Sequence, residues 1–245
     1  MRLIPIGIFL VLYLLLSVPI MLVLLIVRQF QPKKAELIML RIVQWAFKVV
    51  IFLAGTDITT IGLEKIPDDE GMLFVANHQG VFDILIGYSQ MKNRTGFISK
   101  DSVKKIPFLN WNMMFIGCLF LNREDLKQGL QVIKDAIEAV KDGRSIFIFP
   151  EGTRNKGADK TQLLEFHRGS FKIAQRTDCR IVPVSFNNTT AVMDDQMPWI
   201  KKAHVVVEYG EPVRYSELTK DEQRHIDEYF RERISQMVKK NEELV

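Results

Sequence analysis

The segment Asn77-His78-Gln79-Gly80-Val81-Phe82-Asp83 sets an imidazole five residues ahead of a carboxylate, and that carboxylate interrupts an apolar run of Val81, Phe82, Ile84, Leu85 and Ile86. Imidazole is the side chain that exchanges protons near neutral pH, and a carboxylate on its Nδ1 would fix the tautomer and leave Nε2 as a base. Residues five apart on a regular helix point about 140° away from each other, so the pair can meet only if His78 stands just before the helix begins. Gly80 is positioned to supply the turn. Taken alone, the spacing equally fits a histidine at a helix start and an aspartate satisfied by backbone.

Two further segments carry groups able to grip an anion. Phe149-Pro150-Glu151-Gly152-Thr153-Arg154 follows a buried-type strand, and a strand end opening into a glycine turn is where α/β proteins place binding groups. Arg154 offers a planar fork for phosphate or carboxylate, although a plain Glu–Arg surface pair would read the same way. In Gly117-Cys118-Leu119-Phe120-Leu121-Asn122-Arg123 a second arginine closes an apolar stretch. Other chemistries lack their residues. There is no G-x-S-x-G, H-E-x-x-H or G-x-G-x-x-G, and the glycine pair 152/157 is followed by Ala158-Asp159 where a phosphate loop needs Lys-Ser/Thr. His78, His167, His204 and His225 have no metal-ligand spacing, and Cys118 and Cys179 form no C-x-x-C.

Taken in order, NHQGVFD (77–83), GCLFLNR (117–123), FPEGTR (149–154) and IVPV (181–184) resemble the four blocks of the glycerolipid acyltransferase family, and within it the bacterial 1-acyl-sn-glycerol-3-phosphate acyltransferases. The resemblance covers roughly residues 56–215. It departs at His167, where members usually carry lysine with Arg168 beside it here, and at Asn110, where glycine is common. It implies that His78 is a general base on the 2-hydroxyl of lysophosphatidic acid, which attacks an acyl thioester of acyl-carrier protein or coenzyme A. Asp83 would orient His78, and no acyl-enzyme would form. Arg123 and Arg154 would clamp the phosphate with Lys100 as a third cation, and Glu151, Gly152 and Thr153 would complete the acceptor site. Glu151 would hold an arginine or the glycerol backbone. Backbone N–H groups after His78 are candidates for the oxyanion, Pro183 would shape the site floor, and Trp111–Ile116 is a candidate wall for the acyl chain. No cofactor, metal or nucleic acid is expected. Acyl transfer to another acceptor, a thioesterase using the same dyad, and a non-catalytic membrane adaptor are the rival readings.

These groups need a scaffold. Short β-rich runs occur at Ile58–Ile61, Met72–Ala76, Thr95–Ile98, Ser145–Phe149, Ile181–Phe186 and Val205–Tyr209, several of them apolar throughout, as strands covered on both faces are. Leu126, Leu130, Ile133, Ile137 and Val140 recur at helical spacing with Gly143 as a stop, and Ile226, Phe230, Ile234, Met237 and Val238 do the same near the carboxyl end. The alternation predicts a layered α/β fold, a mixed sheet flanked by helices, over residues 56–245. The charged end Lys239–Glu243 is expected to be solvated.

Residues 1–55 differ. Leu3–Val27 is 25 residues without a charge, roughly 37 Å as a helix against a ~30 Å hydrocarbon core, with Pro5 and Pro19 expected to weaken or bend it. No small-x-small cleavage site follows, so the segment is expected to be retained. A second apolar stretch, Glu36–Gly55, carries Arg41 and Lys48, expected to snorkel from an interfacial helix. Of the net charge of +4, all lies in residues 1–60, which hold six basic and two acidic groups, while the remainder balances. The expectation is a two-helix hairpin anchored to the cytoplasmic face of the cell membrane, with its positive charge against anionic lipid.

Overall fold

A computed structural model describes residues 2–245. In chain order the principal elements are α1 (Leu3–Phe30), α2 (Pro32–Ala54), β1 (Asp57–Ile61), β2 (Leu73–Ala76), α3 (Val81–Gln90), β3 (Thr95–Lys100), α4 (Leu109–Phe115), β4 (Leu119–Leu121) and α5 (Leu126–Lys141). There follow β5 (Ser145–Ile148), α6 (Lys172–Thr177), β6 (Arg180–Asn187), β7 (His204–Tyr209), β8 (Val213–Arg214), α7 (Lys220–Arg224) and α8 (Ile226–Lys240). The sheet order is β1-β7-β6-β2-β5-β3-β4, with β8 also on β6. Strands β6, β2, β5, β3 and β4 run parallel, and β7 and β8 join β6 antiparallel. Five carboxyl ends therefore share one edge, where open α/β sheets place their ligands.

The apolar runs become strands because both faces are covered. Along β2, Phe74 and Ala76 enter one core while Leu73 and Val75 enter the other, and β5 divides Phe147 from Ile146 and Ile148 in the same way. The first core is closed by α2, α3 and α4, the second by α5, α6 and α8. Pro183 falls between the β8 and β7 pairings of β6, so its missing N–H interrupts neither ladder. The carboxyl end is less solvated than its charge suggested: Asn241 is fully buried and donates to Glu208 Oε2 at 2.8 Å.

Two strands escaped the sequence reading. β4 is three residues long and β8 two, too short for periodicity to mark them.

Both α1 and α2 are long and apolar enough to cross a membrane. Yet α2 is fastened to the sheet domain at several points. Near its start, the buried Glu36 receives Arg144 through Nε and Nη2 at 2.5 and 2.7 Å, with Arg94 Nη1 at 3.3 Å. At its middle, Gln44 donates to the carbonyls of Tyr88 and Met91, and Arg41 to those of Met91 and Lys92. Arg41 therefore ties α2 to the end of α3 instead of snorkelling, because the α3 terminus offers carbonyls without helical partners. Lys48 is exposed, as expected.

Helix α1 runs unbroken through Pro19 and packs along α2. Three of its polar side chains meet protein: Tyr13 donates to Asn112 Oδ1 at 3.2 Å, Asn112 Nδ2 donates to Ser17 at 2.9 Å, and Arg28 lies 5.3 Å over the Phe115 ring. Arg2 donates to Ala54 O at 3.0 Å. The opposite face, including Ile8, Val11, Leu12, Leu15 and Leu16, is exposed.

Glu36→Ala would leave two arginines without their buried partner, which typically costs ~3–5 kcal/mol. The variant is expected to lose that much stability in denaturant unfolding in a fixed detergent, with Glu36→Gln retaining part of it.

Candidate active site

His78 follows the carboxyl end of β2, and its position is set from both sides. Asn77 exchanges two hydrogen bonds with Phe186 of β6, donating to its carbonyl at 3.0 Å and accepting from its N–H at 2.8 Å, which extends the strand pairing by one rung. The N–H of His78 donates to Glu151 Oε1 at 2.6 Å, and its carbonyl accepts the Asn155 N–H at 2.7 Å. The imidazole stacks on Phe149, with centroids 4.1 Å apart.

Helix α3 starts at Val81, so the turn required to bring His78 to Asp83 is present. His78 Nδ1 lies 2.8 Å from Asp83 Oδ2, which also accepts the N–H groups of Gln79 and Gly80 at 2.6 and 2.9 Å. The other oxygen, Oδ1, accepts the Thr189 hydroxyl. Asp83 is completely buried, with a donor on every side, so Nδ1 is the donor in its bond and Nε2 is left as an acceptor. Gly80 is extended, with φ −146°, and needs no left-handed freedom. Its absent side chain matters for a different reason: a Cβ there would stand 2.6 Å from Asp194 Oδ2. Since Gln79 and Gly80 donate to Asp83, and Val81 N–H donates to Asp194 at 3.0 Å, the backbone donors proposed for an oxyanion are already engaged.

Glu151 is buried under this loop and takes the N–H groups of His78 and Leu164 at 2.6 and 3.0 Å. It holds backbone, with no arginine hydrogen-bonded to it. Burial pushes its carboxyl above the usual range, more strongly than the two N–H bonds pull it down.

Beside Phe149 opens a cavity of about 450 Å³. Ile98, Leu121, Leu126, Leu130, Ile133 and Ile148 form its apolar walls, and Lys100, Arg123 and Lys172 supply cations beside the His167 imidazole. Register explains the meeting of Lys100 with Arg123: Lys100 ends β3 opposite Leu121 of β4, two residues before the arginine. Among the described residues Arg123 has no carboxylate within ion-pairing distance, and desolvation holds its guanidinium below the usual range. Gly152 is required here, with φ +69° and a hypothetical Cβ 2.9 Å from His167 Nε2 and 3.8 Å from Arg123 Nε.

The structure places several of the expected groups elsewhere. The groove wall comes from α5, whose residues Leu126 and Leu130 stay exposed, while Trp111–Ile116 lies against α1 and α2 and lines no part of the cavity. The apolar stripe of α5 thus serves the groove at one end and the core at the other. His167 touches the third block through Gly152, and Lys172, rather than Arg168, adds the neighbouring charge. Pro183 and Arg154 do not line the cavity; Arg154 Nη1 instead meets Asp194 Oδ1 at 2.5 Å. Thr153 lines no part of it either. Thr189 and Asp194 were missed because nothing in the spacing of a loop 106 and 40 residues from its partners announces a contact.

The family model described as acyltransferase matches residues 57–187, more than half of the chain. The 1-acyl-sn-glycerol-3-phosphate acyltransferase of Borreliella burgdorferi is 37% identical over 142 residues, covering 58% of this chain and 56% of the relative. The enzyme of that name from Saccharomyces cerevisiae is 28% identical over 194 residues, covering 79% of this chain and 63% of the relative. The chain thus spans 56–63% of the length of these two relatives. The crystal structure of the 1-acyl-sn-glycerophosphate (LPA) acyltransferase PlsC from Thermotoga maritima matches with a TM-score of 0.74 at 26% identity, over 98% of this chain and 97% of that one.

The raised carboxyl of Glu151 has a measurable sign. The folded state holds that proton more tightly than the unfolded state, so the contribution is most favourable below the ordinary carboxylate value of about 4.3 and is lost as pH rises through the folded value. Glu151→Gln is expected to flatten this fall in melting temperature with rising pH, whatever offset it adds, in thermal scans from about pH 4 upward.

Proposed function

Since the chain belongs to the acyltransferase family, we propose that it transfers an acyl group from a thioester to the 2-hydroxyl of 1-acyl-glycerol 3-phosphate, giving phosphatidic acid. The observation that carries this reading is the His78–Asp83 pair at the parallel strand ends, one ring away from an apolar groove rimmed by cations. The names of the relatives supply the acceptor class.

In the proposed reaction Nε2 of His78 takes the proton of the acceptor hydroxyl as its oxygen attacks the thioester carbonyl. The C–O bond forms, the C–S bond breaks, and the proton passes from the imidazolium to the departing sulfur. Asp83 holds the ring and stabilises its positive charge. The nucleophile belongs to the substrate, so no acyl-enzyme intervenes. Arg123 and Lys100 hold the phosphate at the groove mouth, Lys172 adds positive potential, and the α5 wall takes an acyl chain. Arg154 stands across the Glu151–Arg154 turn as a second grip, and Gly152 and Thr153 shape that turn. Glu151 contributes by holding the backbone of His78. The donor is acyl-carrier protein or coenzyme A.

We divide the chain by role into a membrane anchor, 1–55, and a catalytic part, 56–245. The fastening of α2 to the sheet, and of α1 along α2, supports a hairpin lying in one leaflet rather than crossing the bilayer. The exposed apolar face of α1 would enter lipid, with the site at the cytoplasmic surface where a bilayer acceptor meets a water-soluble donor.

Purified protein in a fixed detergent, given lysophosphatidic acid and either acyl donor, is expected to form phosphatidic acid. His78→Ala should lower kcat by at least about 100-fold. Arg123→Ala should raise KM for lysophosphatidic acid about 10- to 100-fold and spare an acceptor lacking phosphate. Transfer only to another acceptor would overturn the substrate, and unchanged transfer by His78→Ala would overturn the base.

A further inference from the structure

Two side chains outside all four sequence blocks reach the proposed reacting groups, and both come from the loop after β6. Thr189 is fully buried and gives its hydroxyl hydrogen to Asp83 Oδ1. Asp194 binds Arg154 Nη1 through Oδ1 at 2.5 Å and the Val81 N–H at the start of α3 through Oδ2 at 3.0 Å. Its side chain is only 13% exposed. Neither residue lines the groove.

We propose that Thr189 and Asp194 are positioning residues of the acyl transfer, Thr189 setting the plane of the Asp83 carboxylate and Asp194 setting the place of Arg154 relative to the dyad. The inference rests on the acyltransferase reading given above.

The physical case for Thr189 begins with the freedom of the Asp83 carboxylate, which can turn about its last side-chain torsion. Three donors meet Oδ2, from His78, Gln79 and Gly80, all within one short turn. Thr189 approaches Oδ1 from a different strand end, so its bond at the second oxygen adds to the resistance against a rotation that would carry Oδ2 away from the imidazole. Removing that donor leaves Oδ1 buried and unpaired, a condition the site can relieve by turning the carboxylate away from His78.

Asp194 acts on the other grip. A free arginine of this length would sweep a wide arc, whereas Arg154 is bonded to a carboxylate whose second oxygen is tied to the first turn of α3. The same turn carries Asp83 at its third position. One side chain therefore fixes the offset between the cation and the base. Its approach also explains Gly80, since any larger residue would collide with Asp194 Oδ2. Among the described residues the remaining nitrogens of Arg154 have no hydrogen-bond partner and can meet an acceptor phosphate, and the side chain is 40% exposed.

The two roles predict different kinetic signatures. Thr189→Val preserves shape and removes the donor; it is expected to lower kcat about tenfold with KM within about twofold, and Thr189→Ser is expected to restore most of the loss. Asp194→Asn keeps an acceptor for Val81 but removes the charge beside Arg154. It is expected to raise KM for lysophosphatidic acid about tenfold, leave kcat within about twofold, and leave KM for a phosphate-free monoacylglycerol unchanged. The steady-state measurements are made on full-length protein in one detergent, with melting temperatures recorded alongside.

An unchanged kcat in Thr189→Val, or a Ser variant as impaired as Val, would overturn the assignment of Thr189 while leaving the acyltransferase reading standing. Equal KM changes for both acceptors in Asp194→Asn would overturn that of Asp194. If Thr189→Val is not recovered folded, Thr189→Ala takes its place in the same comparison with Thr189→Ser. No transfer by the unsubstituted chain to any lysolipid would overturn the reading and this inference together.

Discussion

A carboxylate removed from water costs several kcal/mol unless its lone pairs are filled, and the loop around Asp83 is arranged to fill them. The N–H of Gly80 is an orphan of the α3 amino terminus and that of Gln79 lies just before it, and a carboxylate in the first turn is where the helix dipole favours negative charge. Asp83 therefore closes the helix start and binds His78 Nδ1 with the same oxygen. The turn cannot open without leaving buried donors and acceptors unpaired, so the imidazole is aimed by the same bonds that start the helix. Loop geometry that would be soft elsewhere becomes rigid at this point.

The rest of the sheet serves to bring other chain segments to that carboxylate. Parallel pairing puts the ends of β6, β2, β5, β3 and β4 along one edge, so residues from five distant segments converge without long loops. Strand β2 delivers His78, β5 delivers Phe149 and the turn through Arg154, β3 and β4 deliver Lys100 and Arg123, and β6 delivers Thr189. The aromatic column beneath, with Phe147 stacked on Phe97 at 4.4 Å and Phe97 on Tyr88 at 4.3 Å, gives this edge a stiff floor.

The polar and apolar demands of the site are separated in space. On the first face of the sheet the core is filled, including the side of α2 that carries Met39, Leu40 and Val43. On the second, the amino-terminal turns of α5 stand away from the strands and leave the groove, so Leu126 and Leu130 remain exposed although they continue a stripe that packs normally at Ala136 and Val140. Cations without ion-pair partners among the described residues, set beside apolar walls, fit the proposed amphiphile with an anionic head. The apolar face of α1 is exposed in the same way, and in the proposed reading it enters lipid.

Much of this was legible in the residue order. Strands buried on both faces announce themselves as continuous apolar runs, and α5 and α8 by their 3.6-residue period, because those signals are local and repeat. His78, Asp83, Arg123 and the turn at Gly152 stood out because they break an apolar pattern or sit at its end. Contacts made across the sheet left no such mark: Arg41 on the carbonyls of Met91 and Lys92, Glu36 on Arg144, Glu151 on the backbone of His78, and the Thr189 hydroxyl on Asp83. Each depends on which strand lies beside which, and a linear chain carries no local record of that order. Amino-acid order by itself determined the longer strands and helices and marked the turns that carry candidate reactive groups. Tertiary structure alone decided which polar groups satisfy one another, because a buried donor takes whichever acceptor the fold brings within about 3 Å.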